Sequence, residues 1–195
     1  MACGRVVGTD TIDPFEPGRA TDAVAMLVSF AGGRLNYTAA LKLLYLADRE
    51  ALAMTGTSIT GGTFYSMGKG PVISEVLQLI HGDRKSNRWS QFLETDGHVL
   101  VLKPGWTNRR VARGFEAMIR KHWEQHHVDP LAYPDELIEF MHGLPEWKEP
   151  KPGGRIPITH RQIWAAQKVP DEVVETFELQ HEAWESMAAG RIIRD

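Results

Sequence analysis

Residues 36–56 read NYTAALKLLYLADREALAMTG, and this stretch decides how the chain folds. Asn36 offers a side-chain oxygen to the free amides of a first helical turn, and Gly56 supplies a stop, so a long helix is predicted between them. Leu41, Leu44, Ala47, Ala51 and Met54 share one face, while Leu43 and Leu46 widen the stripe. An apolar stripe that wide implies a central, mostly buried helix. Asp48 interrupts it. Two readings stand for that residue: a buried carboxylate that hydrogen-bonds the glycine-rich loop downstream, or a solvated charge near the helix end.

Beyond Gly56 the chain changes character. Gly61, Gly62, Gly68 and Gly70 bracket a β-prone run, Thr63-Phe64-Tyr65-Ser66-Met67, which predicts one short strand and a tight loop. Pro71 suits a first helical position, and Val72, Val76, Leu79 and Ile80 follow at helical spacing up to Gly82. Asp96-Gly97 lies between Trp89–Thr95 and His98–Lys103, which predicts a hairpin. Thr107 or Asn108 caps a further helix carrying Val111, Phe115, Met118, Ile119 and Trp123. Pro134 opens another with Leu137, Ile138 and Met141 inward, and a Pro- and Gly-rich stretch from Gly143 to Pro157 reads as a loop between subdomains. A last helix from Pro170 aligns Val173, Phe177, Trp184 and Ala188 on one face and carries many acidic residues elsewhere. Upstream, residues 1–20 read as an irregular arm before a helix capped by Thr21 and stopped by Gly32-Gly33. The expected fold is therefore α+β and mostly helical, with about six helices and a small antiparallel sheet made of one short strand plus a hairpin.

With 195 residues the chain has room for one substantial core, and 43% apolar with 24% charged residues excludes extended disorder. A net charge of −3 supplies no global field for nucleic acid or an anionic membrane. Cys3 is the sole cysteine, so a disulfide framework is excluded and a reducing cytoplasm fits best. No apolar signal-peptide core or membrane span is expected. Charge is nonetheless uneven: residues 81–128 sum to +4 and residues 129–185 to −7. The acidic end reads either as a solvated helix face or as a surface that meets a basic partner.

Catalytic and cofactor chemistry finds little support. His122 and His126 share a helix face, but the Glu of His122-Trp123-Glu124-Gln125-His126 is misplaced for a zinc-protease pattern and a third ligand is missing. There is no nucleophile elbow. Residues 61–70 match no phosphate-cradling pattern, and Pro71 removes an amide that one would need. The expectation is no enzyme, no cofactor and no metal. Three helices followed by a hairpin is the element order of a winged helix, yet the helix that would enter the groove offers Glu75 and Gln78 without Arg or Lys. Arg84, Lys85, Arg88, Arg109, Arg110 and Arg113 could still touch phosphate, so a DNA-binding regulator stays an alternative.

The run Leu41-Lys42-Leu43-Leu44-Tyr45-Leu46-Ala47-Asp48-Arg49-Glu50, followed by Gly56 to Val72, resembles the SocA-like antitoxin family, also called the Panacea domain or phage-associated GepA-like. His142 followed by Pro145-Glu146-Trp147-Lys148 is similar to the family's second recurring segment. The resemblance covers residues 21–165, leaving the arm, 1–20, and an acidic C-terminal helix, 166–195, outside it. It implies a mostly helical domain that acts as the antidote of a toxin–antitoxin pair by binding a protein toxin from a neighbouring gene, without catalytic residues. A proteolysis adaptor handing that toxin to a protease is the rival interaction reading, and a homodimer is compatible with either. From the residues themselves, Tyr65, Met67, Lys69, Arg109, Trp147 and Lys148 are the candidate partner contacts, with Asp48 as a structural carboxylate; the bulky residues of the 64–67 strand read equally as core packing on one face, and the Trp147 indole reads first as an anchor under the core. Alternation places Tyr65 and Met67 on one face of their strand.

Overall fold

The structure, a computed structural model, describes residues 14–192. Residues 1–13 of the expected arm, Cys3 among them, lie outside the described residues, as do the side chains of Trp184 and Ala188. The described residues form eight helices and two three-stranded antiparallel sheets, an α+β fold that is mostly helical.

Two mostly buried helices make the centre. The first, α1 (Pro17–Phe30), is buried continuously from Ala20 to Val28. It begins four residues before the expected cap: Glu16 accepts hydrogen bonds from the amides of Gly18 and Arg19, Pro17 fills the first turn, and Thr21 donates its hydroxyl to Pro17 O instead of capping. Proline at that point starts a helix because its missing amide would be unpaired anyway. The second, α2 (Tyr37–Thr55), is the helix expected from residues 36–56, with the Asn36 side chain accepting from Thr38 N and Gly56 left-handed at its end. Met54 departs from the expected stripe: it lies in the last turn, past the core, and is 64% exposed.

Around these helices lie the sheets. In one, β1 (Arg34–Asn36) pairs with β5 (Val99–Leu102), which pairs with β4 (Leu93–Asp96). The pairing of Asp96 with Val99 makes Gly97-His98 the turn rather than Asp96-Gly97, with Gly97 at φ +58°. The expected first strand is shorter because Asn87–Phe92 winds as α4, capped by Ser86. In the other sheet, β2 (Phe64–Met67) lies between β3 (Gly70–Ile73) and β6 (Ile156–Ile158). Pro71 therefore sits in a strand opposite Ser66, and α3 (Ser74–His81) starts only after that strand ends. This removes the winged-helix order, since a hairpin stands between the second and third helices.

α5 (Arg113–His126) starts without a side-chain cap, because Asn108 turns its oxygen to the amides of Arg110 and Val111 in the preceding loop. α6 (Asp135–His142) follows Pro134, with Leu137 and Met141 buried. The stretch from Gly143 to Pro157 is not a free connection: it ends in β6, which pairs with β2. α7 (His160–Ala166), opened by a Thr159/Gln162 capping box, was not expected from the sequence. It buries Trp164, whose indole donates to Leu52 O at 2.9 Å. α8 (Asp171–Ile192) docks through Phe177 and His181, the latter with Nε2 2.8 Å from Gly56 O.

Gly56 therefore serves two elements. Its φ of +74° disfavours a side chain, and a Cβ there would lie 2.5 Å from the Phe177 ring. Gly56→Ala is expected to destabilise the protein by at least about 2 kcal/mol in urea unfolding, with amide exchange in α8 accelerated more than in α2.

Candidate partner-binding surface

The polar residues of α2 set the geometry. Lys42, Tyr45 and Arg49 recur at helical spacing, with Asp48 beside them, and between them they reach three segments of chain, Tyr45 and Arg49 sharing one. Lys42 is buried and donates to Gly70 O at 3.0 Å and Pro71 O at 2.9 Å, holding the tight β2–β3 turn over the helix. Burial, followed by the charge of Lys69, brings its ammonium down to about 7. Asp48 is wholly buried and accepts from Ile59 N at 2.7 Å, Thr60 N at 3.2 Å and the Thr60 hydroxyl. Burial pushes its carboxyl up to about 7, against those donated hydrogen bonds, which favour the charged form. Ser58 Oγ and Thr60 Oγ1 in turn accept from Gly61 N and Gly62 N, and Glu75 closes the loop by accepting from Thr63 N and its hydroxyl.

The third tie crosses about half the chain. Glu146 is buried and accepts from Tyr45 OH at 3.0 Å, Arg49 Nε at 2.5 Å and the other arm of the guanidinium at 3.2 Å. This two-pronged pair seats the Pro145-Glu146-Trp147-Lys148 segment. Neither Lys42 nor Glu146 was singled out from the sequence for such a role. A lone Lys in a leucine-rich helix and a Glu in a proline-bounded loop carry no local signal of pairing. Asp22 is a second buried hub missed in the same way: it accepts from Arg88, from the indole of Trp106 and from Arg109 N.

On this frame the outer face of β2 is presented. Phe64 and Ser66 are buried, whereas Tyr65 and Met67 are half-buried on the opposite face. Trp147 donates its indole N–H to Met67 O at 3.1 Å and stacks on His142, with ring centroids 4.2 Å apart. Lys148 N donates to Ser66 Oγ at 3.1 Å, which leaves its side chain exposed beside the strand. Lys69 Nζ lies 5.0 Å over the Tyr133 ring, and the Arg155 guanidinium lies 4.5 Å over the Tyr65 ring. The structure thus brings together Tyr65, Met67, Lys69, Trp147 and Lys148, and adds Tyr133 and Arg155. Arg109 does not join them. Its amide is held by Asp22 of α1 and its Nε lies 3.4 Å from Thr107 Oγ1.

The other cations considered for phosphate are partly committed. Arg88 is spent on Asp22, Arg84 lies over the Phe15 ring, and Arg110 faces Glu16 at 3.6 Å. His122 Nε2 is 2.8 Å from Glu50, its ring stacks on His126, and burial lowers its pKa. Among the described residues no three His, Cys, Asp or Glu side chains form a group that could hold a metal ion. No described helix is long and apolar enough to cross a membrane.

The profile of the family described as Antitoxin SocA-like, Panacea domain, matches residues 41–148. The chain belongs to this family. The matched span opens at Leu41 in α2 and closes at Lys148, so it contains both ends of the Tyr45–Arg49–Glu146 tie. That one tie joins the opening and closing stretches of the matched span. No curated protein and no solved structure matches the chain.

Two outcomes follow for the buried groups. Asp48→Ala leaves two amides and a hydroxyl without their acceptor and is expected to cost about 3 kcal/mol, whereas Asp48→Asn, which keeps an acceptor, costs less; urea titration separates them. Lys42 titrates near 7 when folded and at 10.5 when free, so the unfolded chain binds more protons between those values and stability rises with pH above 7. The rise reverses above about 10, where Tyr45, pushed well above its ordinary 10.0 by burial and Glu146, ionises only on unfolding. Melting curves from pH 7 to 10 are expected to show that rise in the wild type and a flat profile in Lys42→Met.

Proposed function

We propose that this Panacea domain is the antitoxin of a type II-like toxin–antitoxin pair, acting in the cytoplasm by binding a cognate protein toxin encoded by a neighbouring gene. The observation that carries the reading is the gathering of Tyr65, Met67, Lys69, Trp147 and Lys148 on one corner, in a chain whose family is antitoxin-like. Aromatic rings and cations held in place lose little freedom on docking, which is what dominant interface residues require. The role is binding alone. Each buried polar group of α2 is engaged in holding a loop, so none is poised as an acid, base or nucleophile for a substrate.

Co-expression with the adjacent open reading frame tests the reading. Growth rescue together with co-purification of a stable complex is expected. Rescue accompanied by disappearance of the neighbour's product favours delivery to a protease instead, and a harmless neighbour that never co-purifies defeats both.

A further inference from the structure

Half of the large exposed apolar side chains lie at one place. Among the described residues there are six, and three of them, Leu131, Tyr133 and Phe140, fall within residues 131–140. They flank a groove of about 350 Å³ between the end of α5 and the start of α6, lined by His126, Asp129, Tyr133, Asp135, Glu136 and Leu137. Phe140 packs edge-on against His126, with ring centroids 4.9 Å apart, and so carries the apolar surface from the groove onto α6. Contiguous apolar surface rimmed by polar groups marks a place where another molecule docks.

The sign of the rim tells what that molecule presents. Between Lys121 and Lys148 the chain holds no Lys or Arg, and Asp129, Asp135, Glu136 and Glu139 are all exposed. Lys69, 5.0 Å over the Tyr133 ring, is the cation set against this face, which leaves four carboxylates against one ammonium, or −3. Lys148 and Glu149, beyond α6, cancel each other. Burial, with the neighbouring His127 adding to it, lowers the His126 pKa, so that imidazole does not offset the carboxylates at neutral pH. α5 ends at His126, and the negative end of its dipole adds to the same sign. Arg and Lys side chains suit both halves of such a surface, because the alkyl stem lies along rings while the charged head meets carboxylates. A phosphate backbone would be repelled. On α8, the other acidic element, the exposed apolar side chains Val173 and Leu179 are six residues apart and about 120° round the helix, so no apolar face accompanies its charge.

We infer that the groove between α5 and α6, with Tyr133 and Phe140 as its apolar flanks, docks a basic segment of the toxin whose Arg or Lys heads meet Asp129, Asp135, Glu136 and Glu139. This rests on the proposed antitoxin role and specifies the chemistry of its partner. It also divides the acidic end of the chain, since the 129–139 stretch meets the partner and α8 does not.

The test uses the full chain with the product of the adjacent open reading frame. Glu136 and Glu139 are exposed on α6, so the double variant Glu136→Lys/Glu139→Lys is expected to stay folded, with its melting temperature as the control. Its affinity for that product at low salt is expected to fall by at least about 30-fold, mainly through slower association. If the reversal disturbs folding, Glu136→Gln/Glu139→Gln takes its place, with a loss of about 5-fold and a weaker salt dependence expected. Phe140→Ala removes an apolar flank without changing charge and is expected to weaken binding about 10-fold. Reversal on α8, Glu172→Lys/Glu175→Lys, is expected to leave affinity within about 3-fold. Wild-type affinity in either the α6 charge variant or Phe140→Ala overturns the inference while leaving the antitoxin role in place. A loss from the α8 reversal that equals the loss from the α6 reversal does the same. A wild-type chain that forms no complex overturns both. A wild-type dimer by light scattering that the α6 reversal dissolves assigns the groove to a second copy of the chain and overturns the inference as well.

Discussion

Three segments that build the outer side of the domain are tied to polar side chains of α2. Lys42, Tyr45, Asp48 and Arg49 are carried on a helix that is otherwise buried among leucines, alanines and other apolar groups, where an unpaired polar group costs several kcal/mol. Each is paired with backbone or with Glu146, so the penalty of burying it becomes a requirement that a particular loop be in place. The helix does not merely fill the core. It sets where the 58–62 loop, the β2–β3 turn and the Glu146 segment must lie.

That arrangement explains why a three-stranded sheet as small as β3-β2-β6 is ordered. Strands of three or four residues hold little by themselves. Here β3 is anchored from below by Lys42, β2 is flanked by the Trp147 and Lys148 bonds to Met67 and Ser66, and α6 packs along β3. Gly70 is needed at the turn because its φ is +90° and a Cβ would lie 2.9 Å from Met141. The turn can lie against α6 only without a side chain.

What was legible in the sequence was what is decided locally. Asn36 and Gly56 bound α2 as expected, and Gly82 stops α3, because caps depend on residues within one turn. The Gly70–Ile73 strand was hidden behind a proline that suits a helix start equally well, and only its pairing with β2 decides the matter. β6 is hidden for the same reason, with Pro157 opposite Tyr65. The α7 helix had a readable signal in Thr159 and Gln162, three apart, but its seven residues give too little periodicity to draw attention. Of the site, alternation along Phe64–Met67 was readable, since a strand's faces follow from parity. The partners of Glu146 and Asp22 were not, for pairing across 97 and 66 residues is set by tertiary packing and leaves no spacing to read.

The same parity separates what holds the domain from what it presents. Phe64 and Ser66 face inward, Phe64 against Tyr45 and Ser66 to the Lys148 amide, while Tyr65 and Met67 face outward from the same four residues. An inward change disturbs the ties to α2. An outward change alters only the presented surface and leaves every buried hydrogen bond intact. Lys69, Lys148 and Arg155 extend that freedom, because each is exposed and placed by its backbone or by a neighbouring ring. Substitutions at the corner therefore carry no renewed folding cost, since the polar face of α2 continues to fix where that corner stands.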